Sequence, residues 1–97
     1  MLHTVNKSPF QNGALENCLR LARDGDAILL LEDGVYAAAA GTVKSSLIEQ
    51  AVKRHAVYAI EADLKARGLG NLIKDVRVAS YGDFVDLVEK HTVHAWL

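Results

Sequence analysis

The chain is poor in the residues that staple, stiffen or charge a protein. Its 97 residues include one cysteine and one proline, and 11 Lys+Arg stand against 12 Asp+Glu for a formal net charge of -1. The single thiol, Cys18, has no partner, which excludes a disulfide scaffold and fits a reducing compartment. A lone proline, Pro9, leaves no stiff linker, and there is no repeat or low-complexity tract, so residues 1–97 are expected to form one domain. The charge balance argues against a stand-alone nucleic-acid binder, which carries a basic excess. No apolar run approaches the roughly 20 residues of a membrane span. Met1-Leu2-His3-Thr4-Val5 lacks the basic start and long apolar stretch of a signal peptide, so the expected location is cytoplasmic, away from membranes.

What is present is apolar and small. Hydrophobic residues make up 51% of the chain and charged ones 24%, a composition that collapses rather than staying disordered. A chain this short buries only about 60 to 65% of its unfolded surface alone. The apolar excess therefore points to surface covered by another subunit.

The pattern alternates strands and helices. Leu2–Val5 is a short strand, broken by Asn6-Lys7-Ser8-Pro9. A helix starts at Asn12 or Gly13, with Leu15, Cys18, Leu19 and Ala22 on one apolar stripe and Gly25 as its left-handed cap. Ala27–Leu31 is apolar without alternation, as in a parallel strand covered on both faces. After the Asp33-Gly34 turn, Val35–Ala40 reads as a small-residue helical segment closed by Gly41, and a helix runs from Ser45 or Ser46 to Arg54. A strand at Ala56–Ile60, a helix at Glu61–Arg67 stopped by Gly68, and a strand at Val76–Ala79 near an edge follow. Tyr81–His91 is helical, with Asp83 favoured in the first turn, and Val93–Leu97 is the last strand. The sum is a three-layer α/β/α domain around a mostly parallel five-stranded sheet.

That class invites a search for cofactor motifs. Gly68-Leu69-Gly70 lacks the third glycine of a dinucleotide fingerprint, and no phosphate-binding loop occurs, so no cofactor is expected. His3, His55, His91 and His94 show no ligand spacing, and His91 and His94 straddle a helix–strand junction. We expect no metal site and read all four as surface or interface histidines. Lys53, Arg54, Lys65, Arg67, Lys74 and Arg77 are interleaved with Glu49, Glu61, Asp63 and Asp75, the pattern of a solvated, charge-mixed face.

Cys18 is the only possible persulfide carrier. In mid-helix on an apolar stripe it gains nothing from a helix N-terminus, and burial raises a thiol pKa, so an inert packing residue is the expectation. A reactive role needs the helix to face a cleft or partner. Tyr36 follows the turn at the carboxyl end of a central strand, where open α/β sheets place their sites. Ala38, within the run Ala37–Ala40, permits close approach of another subunit or of the chain's own sheet. Trp96 is a large aromatic on an expected edge strand, a residue type that anchors interfaces or equally caps its own domain's core. Tyr36, Ala38 and Trp96 are thus the interface candidates.

Met1-Leu2-His3-Thr4-Val5-Asn6-Lys7-Ser8-Pro9-Phe10 resembles the opening of the DsrH/TusB family, "LHT-x-x-x-SP". Asp26–Tyr36, Asp63–Gly68, Tyr81–Leu87 and the terminal Ala95-Trp96-Leu97 resemble it in the same order across the chain. The details "VNKSPF", "CL" and "AWL" look closer to DsrH of sulfur oxidisers than to TusB of tRNA thiolation. The resemblance implies a DsrE-like fold and a place in a cytoplasmic sulfur-relay heterohexamer. The implied companions are DsrE/TusD-like and DsrF/TusC-like subunits and a small DsrC/TusE-like sulfur acceptor, with tRNA contacted at most indirectly. In the relay subunits the reactive cysteine lies just after the third strand, ahead of an arginine-glycine pair. Here Ala59-Ile60-Glu61-Ala62-Asp63 precedes Arg67-Gly68, with no cysteine. The resemblance therefore implies a structural subunit, with Cys18 matching a first-helix cysteine of DsrH-type members as an auxiliary persulfide site. Two other readings stand beside it, a thiol sulfurtransferase using Cys18 and a small flavodoxin-like ligand-binding domain.

Overall fold

The computed structural model describes residues 1–97. Strand β1 (Leu2–Val5) leads through helix α1 (Ala14–Leu21) to β2 (Ala27–Leu30). A 3-10 helix at Glu32–Ala38 and helix α2 (Ser45–Ala51) follow, then β3 (Val57–Ile60), α3 (Glu61–Ala66), β4 (Arg77–Ala79), α4 (Tyr81–Lys90) and β5 (Val93–Trp96). All four strand pairings are parallel, in the order β4-β3-β2-β1-β5. The α/β class and five strands are as expected; the sheet is wholly rather than mostly parallel.

Topology divides the helices. From β1 to β4 each crossover moves one place the same way, so α1, the 3-10 helix, α2 and α3 share one face. The connection from β4 to β5 spans the whole sheet and leaves α4 alone on the other face. The core divides to match. Val5, Ile28, Leu30, Val57 and Ala59 pack with Leu15, Cys18, Ile48 and Leu64 in one cluster. Leu2, Leu29, Ile60 and Ala79 form a smaller one under Phe84 and Leu87 of α4. Ile28, Leu29 and Leu30 are wholly buried on the central strand, each worth roughly 1.5–3 kcal/mol. By contrast α4 buries no residue completely, and Tyr81, Val85 and Val88 are exposed. Its start is secured by a capping box, in which Ser80 Oγ accepts from the Asp83 N–H and Asp83 Oδ2 from the Ser80 N–H.

Three local expectations change. Helix α1 stops at Leu21, with Ala22 already extended; Gly25 (φ +89°) serves the following turn, where the Asp26 N–H donates to the Arg23 carbonyl at 2.9 Å. Helix α2 ends at Ala51, three residues short of Arg54, and the chain turns into His55. The alanine run is not a helical face. Its 3-10 turn begins earlier, at Glu32, and ends at Ala38, beyond which Ala39 bridges Leu72 in antiparallel fashion. The Ala38 carbonyl accepts from the Ile73 N–H, and the Ala40 N–H donates to the Asn71 carbonyl, both at 2.9 Å.

Candidate functional site

The carboxyl ends of β1, β2 and β3 meet at the edge where open parallel sheets hold their chemistry. Here the chain leaves β2 through Glu32, in the left-handed region at φ +50°, whose N–H donates to Asp63 Oδ2 at 2.8 Å. Gly34 then passes so close to β1 that a Cβ would lie 2.0 Å from the Val5 carbonyl oxygen. Only glycine fits, and the contact pins the 3-10 helix over the end of β1.

Across this junction Arg67, just after α3, donates twice to Asp33 Oδ1, from Nε at 3.0 Å and Nη2 at 2.8 Å, and once from Nη1 to the Asp63 carbonyl at 3.1 Å. Its guanidinium lies 5.9 Å from the centre of the Tyr36 ring. The Asp33 hydrogen bonds hold the Arg67 pKa above its already high ordinary value. Glu61 and Asp63 occupy the first turn of α3. The edge thus carries an acid-rich clamp between the 3-10 helix and α3. Ser8, Phe10, Gln11, Asp33 and Tyr36 line a shallow cavity of about 280 Å³ beside it.

Cys18 lies elsewhere, in α1 beneath the sheet's α1 face, with no exposed surface. Burial, with the Asp26 carboxylate adding to it, pushes the thiol up to about 12. A thiol raised in this direction stays protonated at neutral pH. A thiolate is the nucleophile in sulfur transfer, so in this conformation Cys18 is not one.

A second cluster forms where β1 meets edge strand β5. Register sets His3 beside His94 and Val5 beside Trp96, with both β5 rings on the α1 side. The Trp96 indole N–H donates to His3 Nδ1 at 3.0 Å. An indole can only donate, so Nδ1 is the acceptor, Nε2 carries the hydrogen, and it donates to Asp26 Oδ2 at 2.9 Å. Asp26 also accepts from the Arg23 N–H at 3.0 Å and from the Met1 ammonium at 3.3 Å. These contacts, the His3 bond foremost, hold the Asp26 carboxyl well below the usual carboxylate range. Beside the network lies a cavity of about 490 Å³, bounded by Leu21 at the end of α1, by Arg23 in the turn beyond it and by His94 and Trp96 from β5.

The sequence candidates therefore separate. Tyr36 is half-buried at the carboxyl edge beside Arg67. Ala38 has no exposed surface, because its lack of bulk lets residues 71–73 of the same chain lie against it; it has nothing to offer a partner. Trp96 is half-buried and tied to His3. His3 and His55 are not surface histidines: they are 4% and 7% exposed, and His55 Nδ1 lies 2.9 Å from the Asp26 carbonyl. No group of three His, Cys, Asp or Glu side chains is placed to hold a metal ion. The Arg67–Asp33 clamp and the Trp96–His3–Asp26 relay escaped sequence reading. Their members are 34, 93 and 23 residues apart, and no local spacing marks them.

Comparison with known proteins agrees with the resemblance. The family described as "DsrH like protein" matches residues 7–94. Protein TusB of Serratia proteamaculans (strain 568) is 44% identical over 92 residues, 94% of each chain. Protein TusB of Escherichia coli (strain K12) is 44% identical over 93 residues, again 94% of each. These relatives carry the TusB name, although the opening and the first-helix cysteine resemble DsrH. Among solved structures, the protein of unknown function MTH1491 from Methanobacterium thermoautotrophicum shares the fold, with a TM-score of 0.72 at 16% identity over 97% of this chain and 96% of that one. Protein Tm0979 from Thermotoga maritima gives a TM-score of 0.64 at 26% identity over 94% of each chain.

Proposed function

The chain belongs to the DsrH family, and on that premise we propose that it is a structural subunit of a cytoplasmic sulfur-relay complex rather than the main persulfide carrier. The observation that carries this reading is the state of its one thiol. Cys18 has no exposed surface and a pKa pushed up to about 12, while the carboxyl edge of the sheet holds the Arg67–Asp33 clamp. Sulfur transfer needs an accessible thiolate, and a complex that moves sulfur would take it from a related subunit bearing a cysteine after its third strand.

In this reading the companions are DsrE/TusD-like and DsrF/TusC-like chains in a heterohexamer, handing sulfur to a DsrC/TusE-like acceptor. The 44% identity to proteins named TusB favours 2-thiolation of tRNA wobble uridine over oxidation of stored sulfur. The exposed Tyr81, Val85 and Val88 of α4 and the half-buried Tyr36 and Trp96 are surfaces that companions would cover.

The test is to assemble the complex with Cys18→Ala in this chain. Sulfur delivery to the acceptor, and 2-thiouridine in tRNA where that branch operates, should stay within about twofold of the parent, because a buried packing residue is not in the transfer path. Delivery lost in a complex of unchanged native mass would contradict the proposal and restore Cys18 as a carrier.

A further inference from the structure

The cavity between the end of α1 and β5 moves no sulfur in the proposed relay, although Trp96, one of the surfaces a companion would cover, forms one of its walls in the free chain; those walls are unequal in charge. Asp26 is its one acid, and three donors already converge on that carboxylate, from His3, the Arg23 backbone and the Met1 ammonium. The Arg23 guanidinium has no such partner. Arg20, Arg54, Arg67 and Arg77 donate from their side chains to Asn17, Asp24, Asp33 and Tyr58; of the five arginines only Arg23 donates to nothing. The aromatic wall is complementary. Trp96 commits its single N–H to His3, so what it has left for a ligand is ring surface. The exposed His94 ring sits 4.7 Å from Trp96 and 6.0 Å from His3, centre to centre. Leu21, 64% exposed, adds an apolar flank.

An unpaired guanidinium, two positioned aromatic rings and about 490 Å³ of space describe a site for a flat ring system carrying an anion. Guanidinium forks match phosphate oxygens, and aromatic side chains stack nucleobases of any sequence. We infer that this cavity binds a nucleoside monophosphate, the base against Trp96 and His94 and the phosphate on Arg23. The inference uses nothing from the sulfur-relay reading, and either can fail without the other.

Trp96 is the only tryptophan, so the site reports on itself. The experiment titrates the full chain with AMP, adenosine, inorganic phosphate and benzoate and follows tryptophan fluorescence. AMP should quench saturably and bind at least about tenfold more tightly than adenosine, phosphate or benzoate, since only AMP fills both halves of the site. Arg23→Gln should weaken AMP about tenfold or more and leave adenosine unchanged. His94→Ala should weaken both. Both side chains are exposed and free of hydrogen bonds, so both variants should melt with the parent. No saturable quenching at millimolar AMP, an AMP affinity unmoved by Arg23→Gln, or benzoate binding as tightly as AMP would overturn the assignment.

Discussion

His3 and Trp96 lie 93 positions apart in the chain and decide each other's hydrogen bonding. Trp96→Phe keeps the ring and removes the donor, leaving a buried imidazole nitrogen without its partner. The expected cost is about 1–3 kcal/mol in denaturant unfolding. Nitrogen shifts of the parent should show His3 as the Nε2–H form, fixed by Trp96 on one nitrogen and Asp26 on the other; a dominant Nδ1–H form would contradict the relay. Asp26 sets the acid limit. Its native pKa lies below the ordinary 3.8, chiefly through the His3 bond. Its contribution to stability is therefore full above about pH 4 and fades as pH falls through the native value. Asp26→Asn should flatten that part of the acid limb in a pH series of unfolding curves, and a limb of unchanged steepness would contradict the assignment. Cys18 was the most legible of these residues, because helical spacing alone put it on the buried stripe with Leu15. His3 was not: a polar residue in a four-residue strand reads as surface until the two partners that satisfy it are known.

Among the elements, strands were read more closely than helices and turns. The bounds of β1 are legible to the residue, and those of β2 to within one, because an apolar run bounded by polar residues leaves little freedom. Helix α1 is shorter than its apolar stripe and Gly25 suggest. Gly25 suggested a helix cap, whereas its left-handed φ serves a turn that aims Asp26 at His3. The alanine run and Gly34 show a further limit. Small residues announce close approach but not what approaches, and here it is the chain's own segment 71–73 and the end of β1. Gly34→Ala puts a methyl against the Val5 carbonyl, which cannot retreat without breaking the β1–β2 register. It should cost about 3 kcal/mol, lowering the denaturation midpoint markedly. Arg67→Lys, at the partly exposed clamp nearby, should cost no more than about 1 kcal/mol. The reverse order would mean that the ion pair, and not the close approach, fixes this edge.

At the scale of the molecule the sequence made the layers legible, since an unbroken apolar strand after a helical crossover implies a parallel sheet covered on both faces. The unequal cover follows from topology: three crossovers step one way and the fourth returns across the whole sheet, leaving α4 alone on its face with Tyr81, Val85 and Val88 exposed. An apolar composition, an unevenly covered sheet and a thiol without access together fit a subunit that supports sulfur transfer without conducting it. The most direct measurement is the intact mass of the chain after incubation with a persulfide donor at neutral pH, alone and in its assembled complex. The account predicts the unmodified mass in both. A stoichiometric gain of about 32 Da, one sulfane sulfur, that disappears in Cys18→Ala and passes on to an acceptor thiol would contradict it.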